Sequence, residues 1–230
     1  SAMIRGRGRD DDGYLVFVTK RGTVKRMEQS ALKNIRSNGL RAIILDEGDS
    51  LISVLQTTGE ENIFIATYNG MAVCFNESDL RPLGRNAMGV RGIRLREGDY
   101  VVGAGNSLAG EAVLTITEKG YGKRTLLSEY SIHGRGGIGI KNYQVTDKTG
   151  GIADVKMVNP GEDILVISDD GTIIRMAVDH ISVLGRSTQG VRIMRLAEGS
   201  RVISIERTER EQSEDEAEVT EEVPEVNDEE

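Results

Sequence analysis

The sequence predicts an all-β protein: a propeller-like radial array of about four four-stranded blades, followed by a disordered acidic tail. Three observations predict it. Glycine is plentiful and proline scarce, 28 against 3, as many tight turns demand. A β-rich run recurs four times at nearly even spacing. A second marker recurs in step with the first.

The β-rich runs are Tyr14–Thr19, Asn62–Thr67, Ala112–Thr117 and Asp163–Ser168. Each is followed by two residues and a glycine (Gly22, Gly70, Gly120, Gly171), and these glycines lie 48, 50 and 51 residues apart. Asn69-Gly70 and Asp170-Gly171 predict type I′ hairpin turns, because glycine takes positive φ without steric cost. A return strand follows, as in Thr172–Met176. The second marker lies 17 to 19 residues after each turn glycine and reads glycine, aliphatic, base, three variable residues, aliphatic. Its four copies begin at Gly39-Leu40-Arg41, Gly89-Val90-Arg91, Gly139-Ile140-Lys141 and Gly190-Val191-Arg192. A short turn such as Glu97-Gly98-Asp99 or Glu198-Gly199-Ser200 then leads to a fourth strand, as in Arg201–Ile205. Four strands per repeat of about fifty residues is propeller-blade spacing. One blade alone leaves a sheet face bare, so the blades must stack. The blades are read as residues 13–58, 59–108, 109–159 and 160–208, together one domain, 13–208. Residues 1–12 read as an expression scar (Ser1-Ala2-Met3) and a linker.

Composition limits the function classes. With no Trp and 3 Phe, the core must be mostly Val, Ile and Leu. Cys74 is the only cysteine, which excludes an intrachain disulfide and points to a reducing compartment. No apolar run approaches the ~18 residues that cross a bilayer, and no signal peptide opens the chain. The net charge of −8 is unevenly spread. Residues 209–230 hold twelve acids and one base, whereas 1–208 hold 28 bases against 25 acids. A mildly basic body with a detached acidic tail is the expectation, the tail disordered and competing with a polyanion for the body.

The bases recur in place. Lys33, Arg36 and Arg41 sit before or within the first copy of the second marker, and Arg81, Arg85, Arg91 and Arg94 within the second. Arg135 and Lys141 belong to the third, and Arg186, Arg192 and Arg195 to the fourth. A radial array turns such recurrence into a basic belt along its rim, which suits a polyanion of regular charge spacing, above all duplex DNA. The competing explanation is that these bases protect exposed strand edges from aggregation. Aromatic residues are few near them, which favours backbone contact with a duplex over base stacking on single strands. No recognition helix or zinc finger is visible, so little sequence-specific readout is expected.

Chemistry of other kinds finds no support. Gly134–Gly139 spells G-x-G-x-x-G but follows no strand-to-helix transition. Gly122-Lys123-Arg124 lacks the Ser or Thr of a P-loop. His133 and His180 are the only histidines and have no second cysteine for a zinc site. Asp10-Asp11-Asp12 reads as a solvated linker, and Cys74 as a small buried hydrophobe. Nothing assembles a nucleophile, a base and an oxyanion site, so no catalytic residue, cofactor or metal is expected.

Four stretches carry a family resemblance: Lys119–Thr125, Gly185–Arg192, Gly84–Ile93 and Asn34–Leu40. Together they resemble the C-terminal domain of the bacterial DNA gyrase A subunit, over about residues 13 to 208. The resemblance implies a β-pinwheel, a disc whose blades exchange strands. It implies a role in wrapping duplex DNA so that strand passage introduces negative supercoils. The implied partners are double-stranded DNA, the gyrase B subunit, plus the remainder of the gyrase A subunit, in the bacterial cytoplasm. No membrane and no small-molecule substrate is implied. Lys123 and Arg124 of the first stretch join the bases above as expected DNA contacts. Two features depart from the family. It usually has six blades, whereas four are found here, similar to the last four. Its diagnostic box, a glutamine followed by bases and paired glycines, is absent, with only a partial echo at Arg135–Gly139. The chain therefore reads as a fragment or a shortened form. The catalytic tyrosine of such enzymes belongs to an upstream part of the protein, and none of the 6 tyrosines takes that role. The closest alternatives are the equivalent domain of topoisomerase IV and a propeller-like protein-interaction platform.

Overall fold

The computed structural model describes residues 13–33 and 39–210; the N-terminal linker, Arg36 and the acidic stretch from Glu211 onward lie outside the described residues. In the first repeat β1 (Tyr14–Thr19) and β2 (Thr23–Glu28) form a hairpin and β3 (Leu51–Thr57) lies beside β1. The second repeat contributes β4 (Asn62–Thr67), β5 (Met71–Asn76), β6 (Val90–Arg91) and β7 (Val101–Asn106). The third contributes β8 (Ala112–Thr117), β9 (Tyr121–Leu126), β10 (Ile140–Lys141) and β11 (Ile152–Val158). The fourth contributes β12 (Glu162–Ser168), β13 (Ile173–Ala177), β14 (Val191–Arg192) and β15 (Val202–Glu209). No helix of the described residues is long and apolar enough to cross a membrane.

The sheets run β3-β1-β2-β6, β7-β4-β5-β10, β11-β8-β9-β14 and β15-β12-β13, with every strand pair antiparallel. The outermost strand of a sheet thus comes from the following repeat: β6 pairs with β2, β10 with β5 and β14 with β9. The expected set of four four-stranded blades holds for three sheets. The fourth has three strands, since β13 has no two-residue strand beside it among the described residues. Correspondingly, Gly39-Leu40-Arg41 forms no strand, and no preceding hairpin lies beside it among the described residues.

The hairpin turns also differ from expectation. A type I′ turn needs positive φ at both central residues, yet glycine alone is positive here, with Gly70 at +81°. The Gly70 N–H donates to Thr67 O (3.0 Å) and the Met71 N–H to Thr67 Oγ1 (3.2 Å), which makes a three-residue loop. Thr19 and Thr117 repeat the side-chain bond, accepting from Thr23 and Tyr121. A threonine ending the first hairpin strand is therefore part of the turn.

Period-two alternation places the core between blades. Val16 and Val18 of β1 face Ile63 and Ile65 of β4. The intervening residues Phe64 and Ala66 face Val113, Val155 and Met157 of the third blade. Leu114 and Ile116 face Ile164 and Val166 of the fourth. Each such side chain, fully buried, contributes about 1.5–3 kcal/mol, so stacking supplies what no single sheet can. Cys74 is buried on the second of these faces. The first blade's other face, Leu15, Phe17 and Met27, is covered by Leu32, Ala42 and Ile43 of its own repeat. Along the inner edge β3 packs on β7, β7 on β11 and β11 on β15, with no comparable packing joining β15 back to β3 among the described residues. The array is an open arc.

Candidate nucleic-acid interface

The two sequence markers meet in space. The carbonyls of three of the four turn glycines each accept two N–H groups from the second marker of the next repeat. Gly22 O accepts from Gly92 and Ile93, Gly70 O from Asn142 and Tyr143, and Gly120 O from Ile193 and Met194. The glycine that opens the second marker has an equally local cause. Gly190 sits at φ +70°, where a Cβ would overlap the Gly122 carbonyl, and Gly139 at φ +83°, where it would overlap that of Ala72. Only glycine permits that approach in that conformation.

The base-bearing segments are tied to one another as well as to the blades. Ile44 N–H donates to Ala87 O (3.4 Å), Arg94 N–H to Gly137 O (2.8 Å) and Gln144 N–H to Thr188 O (3.0 Å). Side chains repeat the linkage: Arg135 Nη1 donates to Arg91 O at 3.1 Å and Arg186 Nη1 to Lys141 O at 3.1 Å. The four segments therefore run as one continuous track along the outer edge of the arc.

Charge on this track is not neutralised by neighbours. Arg41, Arg81, Arg85, Arg91, Arg94, Arg135, Lys141, Arg192 and Arg195 are exposed and Arg186 is half-buried. No described carboxylate lies within ion-pair distance of any of them. Bases on or beside the blade strands behave oppositely. Arg26 pairs with Glu77, Lys156 with Asp154 and Glu206, Arg175 with Asp163, and Arg201 with Glu118 and Asp169. Arg207 pairs with Glu162, and Arg210 with Asp163 and Asp179. These ion pairs lie on or beside the blade strands, and none of them involves an exposed base of the track. Lys33 is exposed at the end of the first hairpin's 3-10 turn and has interactions of its own.

Two expected contact residues occupy other positions. Lys123 is fully buried and its Nζ donates to the carbonyls of Gly185 (2.6 Å) and Arg186 (2.7 Å). Burial pushes its pKa down to about 8. Its ammonium holds the loop that presents Arg186 and does not face solvent. Arg124 is half-buried, donates from Nε to Ile181 O at 2.8 Å and lies 3.8 Å from Asp179. Both residues support the track from beneath, so neither belongs in the exposed contact set. Lys25, three residues after Gly22 as Lys123 is after Gly120, does the same work: its Nζ donates to Ala42 O (2.6 Å) and Arg85 O (3.0 Å). The lysine-arginine pair three residues after the turn glycine, shared by Lys25-Arg26 and Lys123-Arg124, was the available signal for Lys25.

Comparison with known proteins bears on the whole array. The family described as "DNA gyrase C-terminal domain, beta-propeller" matches residues 13–58, 61–106, 111–159 and 162–209. The DNA gyrase A subunit of Staphylococcus epidermidis is 47% identical over 203 residues, 87% of this chain and 23% of that protein. The DNA gyrase A subunit of Ureaplasma parvum is 44% identical over 195 residues, 85% of this chain and 23% of that protein. The chain thus spans about a quarter of the length of these relatives. Among solved structures, a DNA gyrase A C-terminal domain superposes with TM-score 0.82 at 27% identity, over 90% of this chain and 69% of that one. A topoisomerase IV C-terminal domain gives TM-score 0.82 at 28% identity, over 90% and 65%. With four repeat matches in register with its four sheets, the chain belongs to the DNA gyrase A C-terminal domain family.

Proposed function

We propose that this chain is a duplex-DNA-binding and wrapping module of a type II topoisomerase, acting as the C-terminal part of a gyrase A subunit. The reading rests above all on the exposed bases of successive repeats, which lie along one hydrogen-bonded track without acidic partners. A curved row of cations binds a curved polyanion by releasing its counterions. Bending 20–30 base pairs by 40–90° costs of order 1–6 kcal/mol by elastic estimates, which phosphate neutralisation along the track must offset. Wrapping then biases the crossing that the rest of the enzyme passes, and negative supercoiling follows. Strand cleavage belongs to the upstream part of gyrase A; that part is one partner of the module, and the gyrase B subunit is the other. The equal structural likeness to a topoisomerase IV domain keeps a weaker, non-supercoiling role as the second reading.

A nicked circle ligated in the presence of the chain tests both. Wrapping shifts the linking number in one direction, in proportion to bound protein. An unchanged linking number at saturating protein would reject wrapping, and a small shift would favour the second reading.

A further inference from the structure

The repeats are not equivalent, and their differences converge at one place. In three of them the turn before the inner strand carries an acid followed by glycine: Glu47-Gly48, Glu97-Gly98 and Glu198-Gly199. The third repeat keeps the acid as Asp147 but lengthens the turn by two residues, Lys148 and Thr149, before Gly150, which adds a base. The residue after the turn glycine is Thr23, Met71 and Thr172 in the other repeats but Tyr121 in the third. These two departures meet. Lys148 Nζ lies 5.3 Å from the centre of the Tyr121 ring, and the Arg192 guanidinium lies 5.2 Å from the same centre. Arg192 Nη2 donates to the Tyr121 hydroxyl at 2.6 Å. That bond, with the cationic surroundings, draws the phenol pKa below its ordinary value.

The three side chains line a cavity of about 760 Å³ that Lys119, Arg195, Arg201 and Glu118 also border. Glu118 is already engaged, accepting from the Tyr68 hydroxyl at 2.8 Å and lying 3.8 Å from Arg201. Lys119 donates to the Asp147 carbonyl, which leaves its charge uncompensated. Lys148, Arg192 and Arg195 have no described carboxylate within ion-pair distance. The corresponding cavity of the first repeat, about 690 Å³, has Thr23 in place of the tyrosine and Asp46 on its wall beside Arg21, Arg91 and Arg94. Nothing in the fold calls for an added lysine at this exposed turn. Exposed cations gathered around one ring concentrate positive potential in the cavity, which attracts an anion.

We propose that the Lys148–Tyr121–Arg192 cavity is a phosphate seat that anchors a duplex at the junction of the third and fourth repeats and so fixes its register on the track. The proposal rests on the DNA-binding reading and deepens it. Arg192, held by the Tyr121 hydroxyl, provides a fixed donor, Arg195 and Lys148 close the seat as mobile charges, and the Tyr121 ring keeps Arg192 and Lys148 within reach of one phosphate. A duplex is thereby held unequally, most firmly at one repeat, and the remaining bases steer it.

Two experiments on the full chain test this. In the first, the Tyr121 ring resonances are followed by NMR while inorganic phosphate replaces chloride at constant ionic strength. A saturable shift that disappears in Lys148→Glu is expected; a shift that persists in the variant, or none at all, overturns the seat. In the second, duplex affinity is compared for Lys148→Glu, which reverses the added charge, Tyr121→Phe, which keeps the ring, and Arg21→Glu, from the first-repeat cavity. Lys148→Glu is expected to lose roughly tenfold and to flatten the salt slope by about one, Tyr121→Phe to lose less, and Arg21→Glu least. The triple variant Arg85→Glu, Arg91→Glu, Arg135→Glu is the control outside the cavity. If it abolishes binding while Lys148→Glu does not weaken it, the anchor is refuted and the DNA-binding reading stands. If the triple variant binds normally, that reading fails, whatever the cavity does. Saturable phosphate binding with unaltered duplex affinity in Lys148→Glu would assign the cavity to a free phosphate ligand and overturn the anchor.

Discussion

A lysine ammonium buried under the rim illustrates how one residue serves the interface without touching its ligand. Lys123 gives two hydrogen bonds to the carbonyls of Gly185 and Arg186, and its burial holds the folded-state pKa at about 8. The unfolded chain keeps the ordinary lysine value near about 10.4. Between those values the unfolded state binds more protons, so this group makes the fold more stable as pH rises from about 8 towards 10. Lys123→Met should flatten that rise, as read from urea midpoints of both proteins at about pH 7.5 and about pH 9.5. Parallel pH dependence in the two proteins would contradict the assignment. The same variant should also weaken DNA binding, because Arg186 loses its support. Lys123 and Arg124 were legible as bases of a repeating motif, but not as buried ones. Burial at their positions depends on the loop that a later repeat lays over them, about sixty residues downstream.

At the scale of the element, the exchanged two-residue strands join one blade to the next. The glycines opening them differ in what they meet, although the sequence writes them alike. Gly139 lies against the Ala72 carbonyl, whereas a Cβ on Gly39 would meet nothing within 4 Å. Gly39→Ala should cost about 1 kcal/mol, the left-handed penalty alone. Gly139→Ala adds a steric clash and should cost about 3 kcal/mol. Equal costs by chemical denaturation would show that the first segment is seated as the others are. The strand runs and both markers were readable from periodicity and spacing, because each repeat meets the same contacts and so writes the same residues at the same interval. The hand-over of the outermost strand to the preceding blade was not, since spacing alone cannot say which hairpin accepts it; the resemblance supplied that. The type I′ expectation failed because the Thr67 side chain and the Gly70 N–H close a longer loop that keeps Asn69 at negative φ.

At the scale of the whole molecule the ion pairs of the described residues are sorted: they lie on or beside the blade strands, and the exposed bases of the track take part in none. That sorting was invisible in the net charge of −8 and only partly visible once the acidic stretch was set aside. Since these bases support no ion pair and their side chains give only the bonds from Arg186 to Lys141 O and from Arg192 to the Tyr121 hydroxyl, reversing Arg85, Arg91, Arg186 and Arg192 to Glu should lower the melting temperature only slightly. The same variant should lose duplex binding. A large drop in melting temperature would mean that these side chains hold the fold together.

The most direct test of the continuous track is the affinity of the chain for duplexes of unrelated sequence, measured across a range of salt concentration. If about six phosphates are met, log K should fall with log salt at a slope near −5, nearly alike for every sequence. A slope close to zero, or affinity governed by base sequence, would contradict the account.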